Sequence, residues 1–232
     1  MSYETLSHYY DMFMSDDYYD DYMQFINDHV KYESILELGC GTGEMSIRFA
    51  NEGKQVLATD LSSEMLELLQ EKAYGLTNLH VACMDMCDFE IDHAFDAVMI
   101  LTDGINYILD ENDVLKVFKN TFRALKDNGT FLFDINSLYK CQMILKDYHE
   151  VIDEDDFHFD WRVKTDGKGT IYHHVVIDDQ GDHATEKHIQ RTLTNDQYHR
   201  LLNEAGFKTV DMYSDFGDYH EDCERIIYLC RK

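Results

Sequence analysis

Apolar runs of four or five residues alternate with amphipathic stretches over the first 140 positions of the chain. The runs predict strands, and the stretches between them, whose apolar positions recur every three or four residues, predict helices. The predicted strands cover residues 35–38, 56–60, 79–83, 97–101 and 130–134. One predicted helix follows the first strand and ends at residue 50, and two others cover 62–72 and 114–125. This order predicts right-handed crossovers and a mostly parallel sheet with helices on both faces.

A different pattern covers residues 157–192, where polar and apolar positions alternate one by one in three stretches. The turns Asp166-Gly167 and Gln180-Gly181 separate these stretches, so they predict antiparallel hairpins. We interpret residues 150–193 as an inserted antiparallel β subdomain within a single domain over 1–232. The pattern then predicts a helix over 195–205 and two closing strands, while the tyrosine-rich residues 1–30 predict an N-terminal helical lid over the ligand site.

Three glycines, Gly39, Gly41 and Gly43, follow the first predicted strand in the loop ELGCGTG. Glycines at this spacing let the backbone turn tightly into a helix and come close to a ligand. Asp60 ends the second predicted strand seventeen residues after the last of them, where a carboxylate can accept hydrogen bonds from both ribose hydroxyls of an adenosine. The loop and the acid together indicate a nucleotide or nucleoside pocket.

The spacing G-x-G-x-G narrows the choice of ligand. A dinucleotide fingerprint requires a third glycine where Glu44 stands, and a carboxylate there would face pyrophosphate at a helix N-terminus. No Gly-Lys-Ser or Gly-Lys-Thr follows, so the phosphates of ATP would lack their lysine. A ligand with adenosine but no phosphate fits better, and S-adenosylmethionine is the common one.

Several segments of the chain resemble, in order, those of the class I S-adenosylmethionine-dependent methyltransferases. They are Tyr10-Asp11, ILELGCGTGEMSIRFA, ATDLSSEML, CMDMCDF, FDAVMILTDGINYI, LKDNGTFLFDIN, and NEAGFKTVDMYSDF with RIIYLCRK. The chain looks closest to small bacterial methyltransferases of unassigned substrate, which are similar to glycine/sarcosine and amino-sugar N-methyltransferases. The resemblance implies an α/β, Rossmann-like sheet, mostly parallel with an antiparallel last strand, and an insertion over the active site.

The resemblance also implies a set of residues that contact S-adenosylmethionine and its product S-adenosyl-L-homocysteine. The glycines would approach the methionyl part, Asp60 the ribose, and Leu61 the adenine face. Asp85 and the Met86 backbone would meet the adenine edge, and backbone at Leu101 the ammonium. The remaining residues predicted to contact the cofactor are Glu37, Cys40 and Tyr19. Tyr19 is also a candidate to line the substrate cleft.

For the reaction itself, the resemblance singles out Tyr10 and Asn106 as candidate catalytic residues. Related amino-sugar enzymes carry a histidine at the position of Asn106, and an amide can orient a nucleophile but cannot accept a proton at neutral pH. The sequence therefore does not predict base catalysis at this position. Tyr107, Trp161 and Arg191 are candidate substrate contacts, with core packing as the alternative for Trp161 and charge balance as the alternative for Arg191.

Charge narrows the range of partners. The chain has 20 basic and 46 acidic residues, a formal net charge of −26, which disfavours nucleic acid because such binding depends on basic residues that neutralise phosphates. The same field attracts cations such as S-adenosylmethionine and a cationic amine substrate, unless the acids serve only to keep the surface soluble.

The remaining composition favours a cytoplasmic protein without a metal. Six cysteines form no C-x-x-C pair, no secretory leader is evident, and no apolar stretch approaches the roughly 20 residues of a membrane span. The twelve histidines have no companion cysteines at the spacing of zinc ligands.

We therefore predict an S-adenosylmethionine-dependent methyltransferase that acts on a small molecule through nitrogen or oxygen. One alternative is a non-catalytic protein that binds S-adenosylmethionine or S-adenosylhomocysteine as a sensor or scaffold. Another is a methyltransferase that acts on RNA, DNA or protein. The sequence leaves the acceptor open, as well as the choice between monomer and homodimer.

Overall fold

A sheet of eight strands and a smaller sheet of four organise the computed structural model, which describes residues 16–154 and 156–232. The helices are α1 (Asp16–His29), α2 (Glu44–Asn51), α3 (Ser63–Lys72), α4 (Glu111–Ala124) and α5 (Asn195–Ala205). The strands of the large sheet are β1 (Ser34–Leu38), β2 (Gln55–Asp60), β3 (Leu79–Cys83), β4 (Phe95–Ile100), β5 (Leu125–Asn136), β10 (Thr209–Ser214), β11 (Gly217–Asp218) and β12 (Arg225–Arg231). The small sheet contains β6 (His149–Glu154), β7 (Phe157–Thr165), β8 (Thr170–Asp179) and β9 (Asp182–Arg191). A 3₁₀ turn, Gly104–Tyr107, and a π-helical turn, Lys140–Ile144, complete these elements.

The large sheet has the strand order β11-β10-β12-β5-β4-β1-β2-β3. Strands β1 to β5 pair in parallel, whereas β12 pairs antiparallel with both β5 and β10. This arrangement confirms the predicted mostly parallel sheet with an antiparallel last strand. The strand order reverses between β1 and β4, and in such sheets a crevice for ligands opens beyond the carboxyl ends of the strands at this point.

Apolar clusters cover both faces of the large sheet. Ile35 of β1 belongs to the cluster that includes α1 and α2, while Leu36 and Leu38 belong to the cluster that includes α4 and α5. Successive side chains of a strand point to opposite faces, so a strand buried on both faces must be apolar at nearly every position. This requirement explains why β1 and β4 are nearly continuous apolar runs in the sequence.

Local signals set the helix ends that the sequence predicts. The hydroxyl of Ser62 accepts a hydrogen bond from the Met65 backbone N–H (3.2 Å), which starts α3. Thr194 and Gln197 form a capping box at the start of α5, and Gly206, with a φ of 118°, ends it. These caps satisfy backbone groups that a helix end leaves without partners.

The small sheet is antiparallel in the order β6-β7-β8-β9, which confirms the extra antiparallel sheet expected from the alternating pattern. One face is buried, as shown by Ile171 and Ile177 of β8, and the other face exposes 46% of Tyr172. Strand β6 was not predicted from the sequence. Its six residues carry only two apolar side chains, so its alternation is weak. The division of the chain at residues 150–193 stays a prediction.

Helix α1 packs on the large sheet through Tyr22, Phe25 and Ile26, which belong to the same apolar cluster as Ile35. The predicted lid over residues 1–30 extends beyond this helix, and its first fifteen residues lie outside the part of the chain that the structure describes. No helix of the described residues is long and apolar enough to cross a membrane.

Candidate functional site

A cavity of about 220 Å³ lies at the carboxyl ends of β1, β2 and β4, where the strand order reverses. Loops that follow these strands and β3 form its walls. The lining residues are Gly39, Gly41, Asp60, Leu61, Ser62, Met65, Met84, Met86, Thr102, Gly104, Tyr107 and Ile108. The predicted residues Gly39, Gly41, Asp60, Leu61, Met86 and Tyr107 are thus brought together around one cavity.

The loop after β1 needs its glycines for two different reasons. Gly41 has a φ of 54°, and a Cβ built on it meets no atom of the described residues within 4 Å, so a side chain there would project from the cavity wall into space that those residues leave open. Gly43 has a φ of 86°, and a Cβ would lie 2.0 Å from Cδ1 of Leu69. Gly41 therefore keeps ligand space free, whereas Gly43 lets α2 pack against α3.

The carboxylate of Asp60 is held by two backbone donors at the end of β2. Its Oδ2 accepts the Gly41 N–H and its Oδ1 accepts the Ser62 N–H, each at 2.9 Å. A carboxylate oxygen can accept more than one hydrogen bond, so each oxygen keeps capacity for a ligand hydroxyl. The loop and the acid thus fix one another's orientation.

Apolar side chains form the part of the cavity next to Asp60. Leu61 exposes 69% of its surface even though it is a leucine, and Met65, Met84 and Met86 lie along the same cavity. Flexible methionines adapt well to a flat ring. Asp85 is exposed, is absent from the cavity lining and uses its Oδ1 to accept the Cys87 N–H (2.8 Å). Its proposed contact with an adenine amine stays a prediction.

Glu37 and Cys40, two further residues of the predicted cofactor set, are buried beside the loop rather than exposed in the cavity. The Ser46 hydroxyl donates to Glu37, and burial raises the pKa of the Glu37 carboxyl to about 7 from an ordinary value of 4.5, with the nearby Asp60 charge adding to the rise. Burial also raises the pKa of the Cys40 thiol, which is therefore not a reactive thiolate.

The backbone after β4 adopts a conformation that few side chains accept. Leu101 is buried, and Thr102 and Asp103 follow it with φ values of 52° and 54°. Non-glycine residues rarely adopt positive φ, and such outliers concentrate at functional sites. The Asp103 backbone N–H donates to Oδ2 of Asp134 at 2.8 Å, which holds this loop to the end of β5.

Asn106, the candidate catalytic amide, is completely buried. Its Nδ2 donates to the carbonyl of Arg191 (3.0 Å), and its Oδ1 accepts the Asn136 N–H (2.8 Å). These bonds join the 3₁₀ turn, β5 and β9, which is the geometry of a positioning group. A contact between Asn106 and an acceptor stays a prediction that this geometry does not support.

The candidate substrate residues lie in different surroundings. Tyr107 lines the cavity, with its ring edge-on to His188 at 6.2 Å. Trp161 stacks on His173 of the small sheet, with centroids 5.8 Å apart. Arg191 instead donates to the carbonyl of Leu109 (2.7 Å), so its guanidinium serves a neighbouring loop.

The two tyrosines predicted near the cofactor also differ in their placement. Tyr19 is buried in α1, with the Arg48 guanidinium 5.5 Å from its ring centre, and it is not part of the cavity lining. Its contact with the cofactor therefore finds no support in this geometry. Tyr10 lies outside the described residues.

A cluster of charged residues beside the cavity was missed by the sequence analysis. The guanidinium of Arg225 contacts the buried Asp134 and the Tyr22 hydroxyl (3.0 Å) and lies 3.5 Å from Asp103. Burial raises the pKa of the Asp134 carboxyl, and the Arg225 charge opposes that rise. A sequence signal did exist, because an antiparallel β12 starts where β5 ends, which places Arg225 near Asp134.

The site thus combines a backbone cradle, a fixed carboxylate and an apolar wall on one side with buried charges on the other. This combination suits an adenosyl ligand without phosphates, because no cationic side chain is among the described residues that line the cavity. Within residues 16–154 and 156–232, no group of three or more histidine, cysteine or acidic residues is placed to hold a metal ion.

Comparisons with known proteins find similarity over the whole chain. The family model described as Methyltransferase domain matches residues 35–129. A protein of Geobacillus sp. (strain WCH70), whose name assigns it to the methyltransferases without an acceptor, is 32% identical over 247 residues that cover 100% of each chain. The glycine/sarcosine N-methyltransferase of Halorhodospira halochloris is 25% identical over 210 residues, 84% of this chain and 73% of that protein. A crystal structure of an S-adenosylmethionine-dependent methyltransferase from Clostridium acetobutylicum ATCC 824 superposes with a TM-score of 0.84 at 26% identity, over 99% of this chain and 98% of the other.

Proposed function

The chain belongs to the class I S-adenosylmethionine-dependent methyltransferases, and on that premise we propose that it methylates a small molecule on nitrogen or oxygen, with an amine favoured. Membership confirms the predicted family, enzyme class and cofactor. The observation that carries the choice of acceptor is the corner beside the cofactor cavity, where Asp103, Asp134 and Asn136 bring several hydrogen-bond acceptors together. Such a corner suits a ligand that donates hydrogen bonds.

The cavity residues fit the cofactor. Gly41 leaves open space where a side chain would intrude, and Asp60 keeps hydrogen-bond capacity for the two ribose hydroxyls. Leu61 and the methionines offer apolar surface to the adenine. When bound, the cofactor would supply an electrophilic methyl group on a sulfonium; the sulfur would leave as a neutral thioether, and the positive charge would pass to the acceptor and leave with its proton.

Positioning is the main task that remains for the protein, because the sulfonium already activates the methyl group and the protein has only to hold the acceptor in line with it. The loop at Thr102 and Asp103, with its positive φ values, lies between the cofactor cavity and the corner that contains Asp134 and Asn136. Asn106 holds this loop to β5 and β9. An amine acceptor must also lose a proton, and a carboxylate such as Asp103, or water beside it, is the group in reach of that corner.

Two further observations support an amine. The formal net charge of −26 attracts cations and disfavours polyphosphate acceptors such as nucleic acids. In addition, one relative is named as a glycine/sarcosine N-methyltransferase, which acts on amines.

The test uses methyl-labelled S-adenosylmethionine with pooled amines, alcohols and carboxylic acids, followed by mass analysis of labelled products. We expect label in the amine pool, and at least about tenfold less with Asp60→Ala at a cofactor concentration below saturation, because this variant lacks the ribose carboxylate. Added RNA and protein test the macromolecular alternative in the same reaction. The proposal fails if S-adenosylhomocysteine binds in calorimetry while no small-molecule pool takes up label.

A further inference from the structure

A series of side-chain hydrogen bonds crosses the small sheet and ends at Asp103. Trp161 Nε1 lies 3.2 Å from His173 Nδ1, and His173 Nε2 lies 3.2 Å from Gln190 Oε1. Gln190 Nε2 lies 2.5 Å from Asp103 Oδ2. The series thus runs from β7 through β8 and β9 to the loop after β4.

The direction of each bond is fixed by chemistry. An indole N–H can only donate, so His173 Nδ1 must accept and the proton of the neutral ring must sit on Nε2. That proton is donated to Gln190 Oε1, which leaves the Gln190 amide nitrogen to donate to the Asp103 carboxylate. Asn136 Nδ2 also donates to Gln190 Oε1 (3.1 Å), which fixes the orientation of this amide a second time. Burial lowers the pKa of His173, in keeping with a neutral ring.

Two acceptor atoms at the end of the series lack donors among the described residues, although the Arg225 guanidinium contacts the other oxygen of Asp134 and lies 3.5 Å from Asp103. Asp134 Oδ1 and Asn136 Oδ1 are buried and have no hydrogen-bond partner among the described residues. They lie two residues apart on β5 and therefore on the same face of the strand. Both residues connect to Asp103. The Asp103 backbone N–H donates to Asp134 Oδ2, and Asn136 is linked to the Asp103 carboxylate through Gln190. Buried acceptors without donors are costly, so a ligand with several N–H groups would stabilise this corner.

We propose that Asp103 binds the nitrogen of the methyl acceptor and that His173 and Gln190 are positioning residues that hold the Asp103 carboxylate in place. The inserted sheet then influences the choice of acceptor through this series of hydrogen bonds to Asp103. An ammonium brings three N–H donors and a hydroxyl only one, so the site prefers amines, and each added methyl group removes one donor. This inference rests on the proposed function and goes beyond it by naming the group that holds the acceptor.

The single tryptophan of the chain, Trp161, provides a signal for this corner. Protein saturated with S-adenosylhomocysteine is titrated with methylammonium chloride and, as the neutral counterpart, methanol, while Trp161 emission is followed. We expect a saturable response to methylammonium only, and an affinity that falls about tenfold or more in Asp103→Asn. An equal response to methanol, no response of the wild type to methylammonium, or unchanged affinity in Asp103→Asn would overturn the inference.

The positioning role has its own readout, the ratio of affinities for methylammonium and trimethylammonium. His173→Leu and Gln190→Leu should lower this ratio, while His173→Gln, which can accept from Trp161 and donate to Gln190, should preserve it. His174→Leu is the matched control, because His174 neighbours His173 on β8 but points to the opposite face. A ratio that stays constant in both leucine variants, or falls equally in His174→Leu, would contradict the relay.

Measurements of turnover distinguish a failure of the inference about Asp103 from a failure of the proposed function. If the wild type methylates amines and Asp103→Asn does so with unchanged kcat/KM, the inference about Asp103 fails and the proposed function stands. If the wild type methylates no small molecule, the proposed function fails, and the methylammonium titration still reports whether Asp103 binds an ammonium.

Discussion

The cofactor cavity and the neighbouring corner, formed by Asp103, Asp134, Asn136, Gln190 and Arg225, lie side by side but are built in different ways. The cavity depends on backbone conformation and on residues close in sequence, as in the bond between Gly41 and Asp60, which are 19 positions apart. The corner depends on side chains from distant parts of the chain, with Gln190 and Asp103 separated by 87 positions and Arg225 and Asp134 by 91. A local sequence motif therefore encodes the cavity, whereas the corner forms only when distant segments come together in the fold.

The largest effect should come from Arg225, because it compensates two buried or half-buried carboxylates in the corner. Arg225→Met leaves the Asp134 charge without its partner, and breaking a buried ion pair from one side costs about 3–5 kcal/mol. Urea unfolding measures this loss. Arg231→Met is the control, since Arg231 pairs with Asp211 at the surface and should cost less than about 1 kcal/mol. Equal midpoints for the two variants would contradict the assigned role of Arg225.

A pH-dependent effect of about 3 kcal/mol is expected from Glu37, which belongs to the cavity half. Its folded pKa is raised to about 7 from an ordinary 4.5, so the folded state binds more protons than the unfolded state between these values. The associated stability is present below pH 4.5 and is lost as the pH rises through 7. Unfolding measured from pH 5 to 8 should therefore show a steeper fall for the wild type than for Glu37→Gln. The exposed Glu71→Gln serves as control, and parallel curves for wild type and Glu37→Gln would refute the prediction.

The features of the cavity could be predicted from the sequence, whereas those of the corner could not. The strands, the glycine loop and Asp60 were predicted, since periodicity and spacing within about twenty residues carry that information. The roles of Asp103, Gln190 and His173 were not, because no local pattern records a hydrogen bond between residues from separate strands. Strand β6 was missed for a related reason. Its polar sequence is compatible with a strand only once β7 offers a partner edge.

Substitution of Gly41 tests whether this glycine keeps space free for the ligand or serves only the packing of the cavity wall. Gly41→Ala adds a methyl group in open space and strains a backbone with φ of 54°, which costs about 1–2 kcal/mol of stability. Affinity for S-adenosylhomocysteine should fall by about tenfold or more in addition. Gly53→Ala is the control, because Gly53 also has a positive φ and open space but lies outside the cavity. Similar affinity losses in both variants would remove the argument for Gly41.

The smallest effect is expected for Arg191, whose guanidinium donates to the Leu109 carbonyl instead of facing the corner. Arg191→Gln should lower the free energy of unfolding by about 1 kcal/mol and leave the affinity for methylammonium within about twofold of the wild type. Trp161 emission with S-adenosylhomocysteine present measures that affinity. A loss as large as that of Asp103→Asn would return Arg191 to the acceptor site.

The most direct test of the division between the two halves is calorimetry of S-adenosylhomocysteine with Asp60→Ala and Asp103→Asn side by side. Asp60 is fixed in the cavity by two backbone donors, whereas the Asp103 carboxylate is held by Gln190 and Arg225. We predict that Asp60→Ala weakens binding by about tenfold or more and that Asp103→Asn leaves it within about twofold. Full affinity in Asp60→Ala, or an equal loss in both variants, would contradict the account.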